Sequence, residues 1–358
     1  MEAPQGRKAK FTTDNYVPGL CTHLYYAFVV MSADYQLKVY DEKDEENFKK
    51  IYAYKQKQPD LKLLLSIGGW RFSQDQGGNK LLKTMSSSSA SRSTFIKSVA
   101  SFVRRIQFDG FDLDWEYPDA GDKANYATLV KELRAYFESE AKQSGKARLL
   151  LTAAVSGAIS KIDAGYDGKQ LGPAFDYVNI MSYDFHGGWE KQVGFNSPLN
   201  DRNNDKLSIA EAAKYWHQIG VPKDKLIIGL ATYGRGFNLA DKAKYGVGAA
   251  ANSASAPQQY TKEGGYAAYY EVCDLIEKKG YKEYYDSAQE SPYAVGADGV
   301  WIGYDNVKSF NAKLDWLKLQ GFGGAFAWTL DLDDFQGQCA SSNGQKYPLL
   351  NAIKARLG

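Results

Sequence analysis

Four acidic residues lie within eight positions of the stretch FDGFDLDWEYP, at Asp109, Asp112, Asp114 and Glu116. Carboxylates this close repel one another, and burying them among Phe, Leu and Trp is unfavourable unless they are paired or share a proton. The same repulsion raises at least one pKa, which keeps a carboxylic acid protonated near neutral pH. The stretch is therefore a candidate site of acid–base chemistry.

The spacing of the acids predicts how a β-strand would present them. Side chains alternate between the faces of a strand, so Asp112, Asp114 and Glu116 share one face and the apolar residues between them occupy the other. Asp109 is assigned to the turn before the strand. The alternative is a buried polar network that only fixes a core. Three acids at i, i+2 and i+4, ending at the C-terminal end of a strand, favour a catalytic use.

The elements that would position these acids follow from the rest of the chain. Seven short runs rich in β-formers are predicted as strands, at 22–29, 62–69, 110–117, 148–155, 177–184, 225–233 and 323–331. Helical periodicity is found between them, at 89–107, near 122–143 and near 306–320. Apolar strands alternating with crossover helices indicate a parallel sheet covered by helices. The predicted fold class is α/β, a (β/α)₈ TIM barrel with its active site at the C-terminal ends of the strands.

The alternation stops between about 236 and 305, a stretch rich in Ala, Gly, Ser and Tyr. We interpret 236–305 as a small α+β insertion domain before the last strand, with 1–235 and 306–358 forming the barrel. A long decorated loop is the alternative.

The strand count is one short, because a closed barrel of this class needs eight strands. The first strand is the missing one, since 1–21 begins as a polar arm. Three explanations stay open: a truncated or alternatively spliced chain, residues 1–12 pairing as a substitute strand, or an open barrel with weak function.

Composition excludes several classes of function. Lys and Arg total 44 against 42 Asp and Glu, without a basic run, so neither nucleic acid nor an acidic membrane is an expected partner. The apolar runs are strand-sized, so no transmembrane helix is expected. Three Cys without a CxxC pair, and three His without HExxH, predict no metal site, and no cofactor is expected. We expect a monomer.

Several ordered motifs carry a family resemblance. The stretch FDGFDLDWEYP resembles the DGxDxDWEYP signature of family 18 glycoside hydrolases, the chitinases and chitinase-like proteins. Further segments are similar to the family at the expected places: LCTHLYYAF (20–28), LLSIGGW (64–70), MSYDFHGGWE (181–190), YGRGF (233–237) and GGAFAWTLDLDDFQGQC (323–339).

The resemblance implies hydrolysis of β-1,4 bonds between N-acetylglucosamine units with retention of configuration. The acetamido oxygen of the substrate, rather than an enzyme carboxylate, attacks the anomeric carbon. By matching positions, Glu116 would protonate the leaving oxygen and later activate water. Asp114 would orient the acetamido group and stabilise the oxazolinium intermediate, and Asp112 would share a proton with Asp114. Tyr183 and Asp184 would hydrogen-bond the acetamide and the distorted sugar.

The resemblance also assigns a set of substrate-binding residues: Trp328 under the sugar with Phe28 and Met181 beside it, Trp70 and Trp189 at neighbouring subsites, and Tyr233 with Arg235 on the far wall. Flat aromatic rings suit the C–H faces of pyranose sugars. For each ring, ordinary packing in the core is the alternative.

The cysteines follow the family only in part. By resemblance, Cys273 and Cys339 match a pair that forms a disulfide bond in an oxidising compartment. Cys21 matches a cysteine whose usual partner would lie in the missing first segment. The start MEAPQGRKAKF has no apolar h-region, so no signal peptide is expected there, and a secreted origin is the expectation that the family supplies.

Three functions compete. A chitinase is favoured because Glu116, the acid that lectin-like members typically lose, is present. A lectin of the same fold would bind chitin oligosaccharides without cutting them, and the missing strand is the feature that favours it. An endo-β-N-acetylglucosaminidase acting on N-glycan cores is the third possibility; the segments MSYDFHGGWE and AWTLDLDD are more typical of chitinases.

Overall fold

The structure is a computed structural model that describes residues 10–75 and 77–358. The chain divides into two compact units. We call them the N-terminal unit, made of Tyr16–Ile180 and Ala213–Ile227, and the C-terminal unit, made of 10–15, Met181–Ala212 and Ile228–Gly358.

The helices and strands alternate as the sequence predicts. The first half of the chain contains β1 (His23–Met31), β2 (Leu37–Lys38), α1 (Asp44–Ala53), β3 (Lys62–Gly68), α2 (Gly78–Ser86), α3 (Ser89–Arg105), β4 (Gly110–Asp114), α4 (Lys123–Ser144), β5 (Leu150–Ser156), α5 (Ile159–Gly165), α6 (Gly168–Ala174) and β6 (Tyr177–Met181). The second half contains α7 (Ile209–Gln218), β7 (Leu226–Ala231), β8 (Tyr233–Leu239), β9 (Ala251–Ala254), β10 (Tyr266–Ala268), α8 (Tyr269–Lys279), β11 (Lys282–Asp286), β12 (Ser291–Val295), β13 (Val300–Gly303), α9 (Val307–Gln320), β14 (Gly324–Trp328) and α10 (Pro348–Leu357).

The N-terminal unit is built on a sheet with the strand order β6-β5-β4-β3-β1. The pairs β1/β3, β3/β4 and β4/β5 are parallel. Every residue of β4 is buried, which is expected of a parallel strand covered on both faces. Helix α3 packs its predicted apolar stripe against this sheet, where the rings of Phe95 and Phe111 meet edge to face with centroids 6.1 Å apart.

The edge of this sheet at β1 is where the predicted missing strand would pair. All seven predicted strands are present, as β1, β3 to β7 and β14. Strand β1 pairs with β3 on one side. On its other side, the described residues pair with β1 only at Val30 and Met31, through the short antiparallel β2. Its first six residues are half-buried or exposed, whereas β3 is buried after its first residue. Residues 10–12 form no strand, and the rest of the proposed substitute strand, 1–9, lies outside the described residues.

The C-terminal unit contains β14 beside β7 and a second sheet with the order β10-β8-β13-β12-β11, in which β9 pairs with β8. The neighbouring strands of this second sheet are antiparallel. Its core includes Phe195, Phe237 and Trp301, all at most 1% exposed. The second sheet and α8 together span 233–303. The assignment of 236–305 as a separate insertion domain stays a prediction.

One disulfide bond lies in the C-terminal unit, between Cys273 on α8 and Cys339 after β14, with the two Cα atoms 5.7 Å apart. The predicted pairing is confirmed. Cys21 forms no disulfide bond with the described residues, and burial raises the pKa of its thiol to about 12. A thiol held protonated in this way is a poor nucleophile. No helix in the described part of the chain is long and apolar enough to cross a bilayer.

A buried ion pair lies at the N-terminal end of α9, and its lysine also bonds to the loop that precedes α7. The Lys313 ammonium bonds to the Asp305 carboxylate and donates to the carbonyl of Ser197 at 2.6 Å, and both charged side chains are at most 1% exposed. Ser309 donates a further hydrogen bond to Asp305. The pair is therefore fully enclosed and well bonded, and the hydrogen bond from Lys313 to Ser197 ties α9 to a distant segment of the C-terminal unit.

We expect Lys313→Met to lower the free energy of unfolding by about 3–5 kcal/mol, because it leaves the Asp305 carboxylate buried without its counter-charge. Chemical denaturation measures the loss. Lys318→Met, on the exposed end of the same helix, is the matched control and should change little. The double variant Lys313→Met/Asp305→Asn should recover much of the loss. A single variant as stable as the native chain would show that the pair contributes little.

Candidate active site

Three of the four acids of the motif lie together in the N-terminal unit. Asp112 and Asp114 are on β4, and Glu116 follows two residues after its end. They are only 3%, 5% and 8% exposed. The predicted strand 110–117 is too long by three residues. It ends at Asp114 because the Glu116 N–H donates to the Ser73 hydroxyl at 3.2 Å and its carbonyl accepts from the Gln74 amide at 2.6 Å.

Asp112 is held by polar groups from the neighbouring strands. Ser66 on β3 and Thr152 on β5 lie beside it in the parallel ladders. Their hydroxyls donate to its two carboxylate oxygens at 2.7 and 2.6 Å, and the Asn179 amide lies 3.4 Å away. Burial raises the pKa of Asp112, while these hydrogen bonds act in the opposite direction. Sequence reasoning missed these three partners, because cross-strand register cannot be read from one strand.

Asp114 has a different environment. Its Oδ1 is buried and has no hydrogen-bond partner among the described residues. Burial raises the pKa of this carboxyl well above its usual value, and the negative charges of Glu116 and Asp112 raise it further. An unpaired buried oxygen of this kind is unfavourable unless a proton or a ligand satisfies it. Asp114 is therefore suited to hold a proton or to bind a polar group of a ligand.

Glycine is required where β3 approaches Asp114. Gly68 adopts φ +113°, and a Cβ there would lie 1.8 Å from the Asp114 carbonyl oxygen. The next residue, Gly69, lies under the ring of Phe28, which a Cβ would approach to 2.5 Å. The glycines Gly68 and Gly69 thus let β3 approach Asp114 closely and leave room for the ring of Phe28. Trp70 follows directly and is 59% exposed, so ordinary core packing does not explain it.

A second group of predicted residues lies in the C-terminal unit, around Asp184. The predicted strand 177–184 ends at Met181, and Asp184 has φ +56° with its N–H donating to the Asn196 side chain. Its Oδ1 accepts from the Tyr233 hydroxyl at 2.8 Å and from Nε and Nη2 of Arg235 at 2.7 Å each. Oδ2 receives no hydrogen bond from the described residues, and the side chain is 41% exposed. This oxygen is available to a ligand.

The aromatic residues of this group surround Arg235. Trp189 is 59% exposed, and the Arg235 guanidinium carbon lies 5.4 Å from its ring centroid. The indole also lies on Gly187, where a Cβ would come within 2.3 Å of the ring. Tyr183 is buried, with its ring edge-on to those of Tyr233 and Phe326.

The two remaining predicted residues sit at strand ends. Met181 is the last residue of β6 and is buried, and Trp328 is the last residue of β14 and is half-buried. The carbonyl of Trp328 accepts from the N–H of Thr232 at 3.0 Å. Ends of barrel strands are where a barrel of this class carries its active site.

The contacts of His186, shortly after β6, indicate a structural role. Its Nδ1 lies 3.0 Å from the Glu190 carboxylate, and its Nε2 lies 3.6 Å from Asp205. The imidazole therefore connects the segment after β6 to the loop near Asp205.

Comparison with known proteins decides the family. The sequence model of the family named glycosyl hydrolases family 18 matches residues 3–333. The chain belongs to this family. A probable endochitinase of Caenorhabditis elegans is 46% identical over an alignment of 367 positions, which covers 99% of this chain and 58% of that protein. The chain thus spans little more than half the length of this relative.

Solved structures of the family agree with the fold. An immunomodulatory active chitinase from Trichuris suis superposes with a TM-score of 0.94 at 42% identity, covering 98% of this chain and 95% of that one. Human YKL-39, described as a pseudo-chitinase with retained chitooligosaccharide binding, gives 0.92 at 39% identity, covering 99% and 96%. The predicted TIM-barrel fold class is confirmed. A protein described as a chitinase and one described as a pseudo-chitinase thus both superpose on this chain.

Proposed function

We propose that this family 18 member is a chitinase, which hydrolyses β-1,4 bonds between N-acetylglucosamine units with retention of configuration. The observation that carries the proposal is the buried row of Asp112, Asp114 and Glu116, with Asp114 lacking a partner for Oδ1. A protein that only bound sugar would gain nothing from three enclosed carboxylates that destabilise one another.

In the proposed reaction, Glu116 donates its proton to the glycosidic oxygen as the bond to the anomeric carbon breaks. The acetamido oxygen of the same sugar attacks that carbon and forms the oxazolinium ion. Asp114 orients the acetamido N–H and stabilises the positive charge, with Asp112 supporting it. The Glu116 carboxylate then takes a proton from water, which opens the oxazolinium ring and restores the β configuration.

Residues of each unit are proposed as binding groups. Asp184 offers its open Oδ2 to the substrate, while Tyr183 bonds the acetamide. Trp70 and Trp189 stack on sugar faces, which agrees with the unusual exposure of both rings. Phe28 in the N-terminal unit, and Trp328 and Met181 in the C-terminal unit, are proposed contacts of the sugar at the cleaved bond. Tyr233 and Arg235 are proposed contacts of the sugar chain. The proposed ligands are chitin and its oligosaccharides, bound by a monomer without nucleic acid or membrane contact.

Binding without catalysis is the second candidate, since a superposable relative is described as a pseudo-chitinase that keeps oligosaccharide binding. The half-exposed first part of β1 favours it, because loosened strands would misplace the acids. Secretion is proposed from the Cys273–Cys339 disulfide, a bond that persists in oxidising compartments.

The test is incubation of the chain with the N-acetylglucosamine hexamer, with the anomers of fresh products resolved by NMR or chromatography. We expect shorter oligomers that are initially β-anomers. Initial α-anomers would overturn the retaining mechanism. Binding without products would establish the lectin. Cleavage of N-glycan cores, but not of the hexamer, would identify an endo-β-N-acetylglucosaminidase.

A further inference from the structure

Arg235 lies between two carboxylates in the C-terminal unit. Its Nε and Nη2 bond to Asp184 at 2.7 Å, while its Nη1 is 3.9 Å from the exposed carboxylate of Glu263. The arginine side chain is only 15% exposed. Glu263 is thus a second carboxylate near the same cation, and the groups packed against the guanidinium help to keep it on Asp184.

Tyr266 is placed to do this. It stands directly opposite Arg235 in the antiparallel ladder of β8 and β10, so both side chains project from the same face. Its ring is the closest of three around the guanidinium, with the carbon 4.9 Å from the centroid, against 5.4 Å for Trp189 and 5.6 Å for Tyr233. That distance is within the range of a cation–π interaction.

The ring of Tyr266 is itself fixed. It stacks on Tyr233 with centroids 4.5 Å apart and planes 22° apart, and the hydroxyl of Tyr233 donates to the same Asp184 oxygen that Arg235 binds. Tyr266 therefore contacts both residues that occupy Oδ1 of Asp184. As long as they remain there, Oδ2 is left for the ligand.

We propose that Tyr266 is a positioning residue that keeps Arg235 on Asp184 and away from Glu263, and thereby sets the affinity for chito-oligosaccharides. The inference rests on the proposed function and extends it to a residue outside the motifs that carry the family resemblance. Loss of the ring lets the guanidinium turn to Glu263, which frees Oδ1 and disorders the carboxylate that meets the sugar.

The experiment measures calorimetric binding of N-acetylglucosamine tetramer and hexamer in a Glu116→Gln background, where the ligand is not consumed. Tyr266→Leu and Tyr266→Met remove the π face but keep much of the volume, and each is checked by thermal melting. We expect affinity to fall about 2- to 30-fold, the factor that corresponds to one cation–π contact. Tyr266→Phe should restore affinity because it keeps the ring. Tyr284→Ala, at a half-buried tyrosine of the same sheet, is the matched control and should leave affinity unchanged.

The deciding variant adds Glu263→Gln to Tyr266→Leu. If Glu263 captures the guanidinium, removing its charge recovers most of the lost affinity. Failure to recover, with folding intact, overturns the positioning role and leaves Tyr266 as a direct sugar contact. Unchanged affinity in both Tyr266→Leu and Tyr266→Met overturns the inference altogether. If the Glu116→Gln parent binds neither oligomer, the proposed function fails, and this inference fails with it.

Discussion

Glu116→Gln should reduce turnover of the N-acetylglucosamine hexamer by about 10²- to 10⁴-fold. The affinity of the variant for the hexamer should change by less than about twofold. The loss is the contribution of a positioned proton donor, which an amide cannot replace. Affinity is kept because glutamine has the same shape, and the backbone here is held by the Ser73 hydroxyl and the Gln74 amide rather than by the carboxyl group. Removing one of three adjacent buried acids should also not destabilise the fold.

Initial rates at saturating hexamer and calorimetric titration measure the two effects separately. Glu46→Gln is the matched control, since this carboxylate is 67% exposed on α1 and should not affect either quantity. A Glu116→Gln variant that keeps the native rate would show that another group donates the proton. Loss of both turnover and binding, in a folded variant, would mean that Glu116 helps to bind the substrate before the reaction begins.

Asp114→Asn should lower the rate by about 10²–10³-fold, the usual cost of removing one group that stabilises charge in a transition state. Asparagine fits the same space but has no proton to pass to Asp112, so it cannot become the carboxylate that stabilises the oxazolinium ion. Steady-state kinetics with the hexamer should show the loss in kcat, with a smaller change in KM. A loss confined to KM would indicate that Asp114 only binds substrate.

The same variant should change how stability depends on pH. The pKa of Asp114 is raised in the folded chain, chiefly by burial. Above the unfolded value of 3.8, the unfolded state therefore releases a proton that the folded state keeps, so the free energy of unfolding falls as pH rises toward the folded pKa. Asp114→Asn removes this contribution. Denaturation curves collected across that interval should show a flatter pH dependence than those of the native chain.

The sequence predicted the central feature of the site because strand alternation is a local property. Asp112, Asp114 and Glu116 follow one another along the chain, and nothing beyond the pleat is needed to place the first two on one face. The ends of the strands were less predictable. Glu116 and Asp184 lie in apolar runs that read as continued strand, yet their backbone groups bond to side chains brought in from elsewhere, Ser73 and Asn196.

The partners of the predicted residues could not be inferred in the same way. Ser66 and Thr152 are ordinary strand residues in the sequence, and they become important only because the parallel register puts them beside Asp112. Tyr266 is one of several tyrosines in a stretch without clear periodicity. Its relation to Arg235 follows from the pairing of β8 with β10, which are separated by a long connection of irregular composition.

The Cys273–Cys339 bond has a practical consequence for judging whether a preparation is intact. The exposed turn at Ser287 and Ala288 lies between the two cysteines in the sequence. A protease that cut this turn would leave two fragments joined by the sulfur bridge. Such a nicked molecule would keep its full mass on a non-reducing gel and separate into two bands only after reduction. Loss of activity on storage should therefore be checked on reduced samples before it is attributed to unfolding.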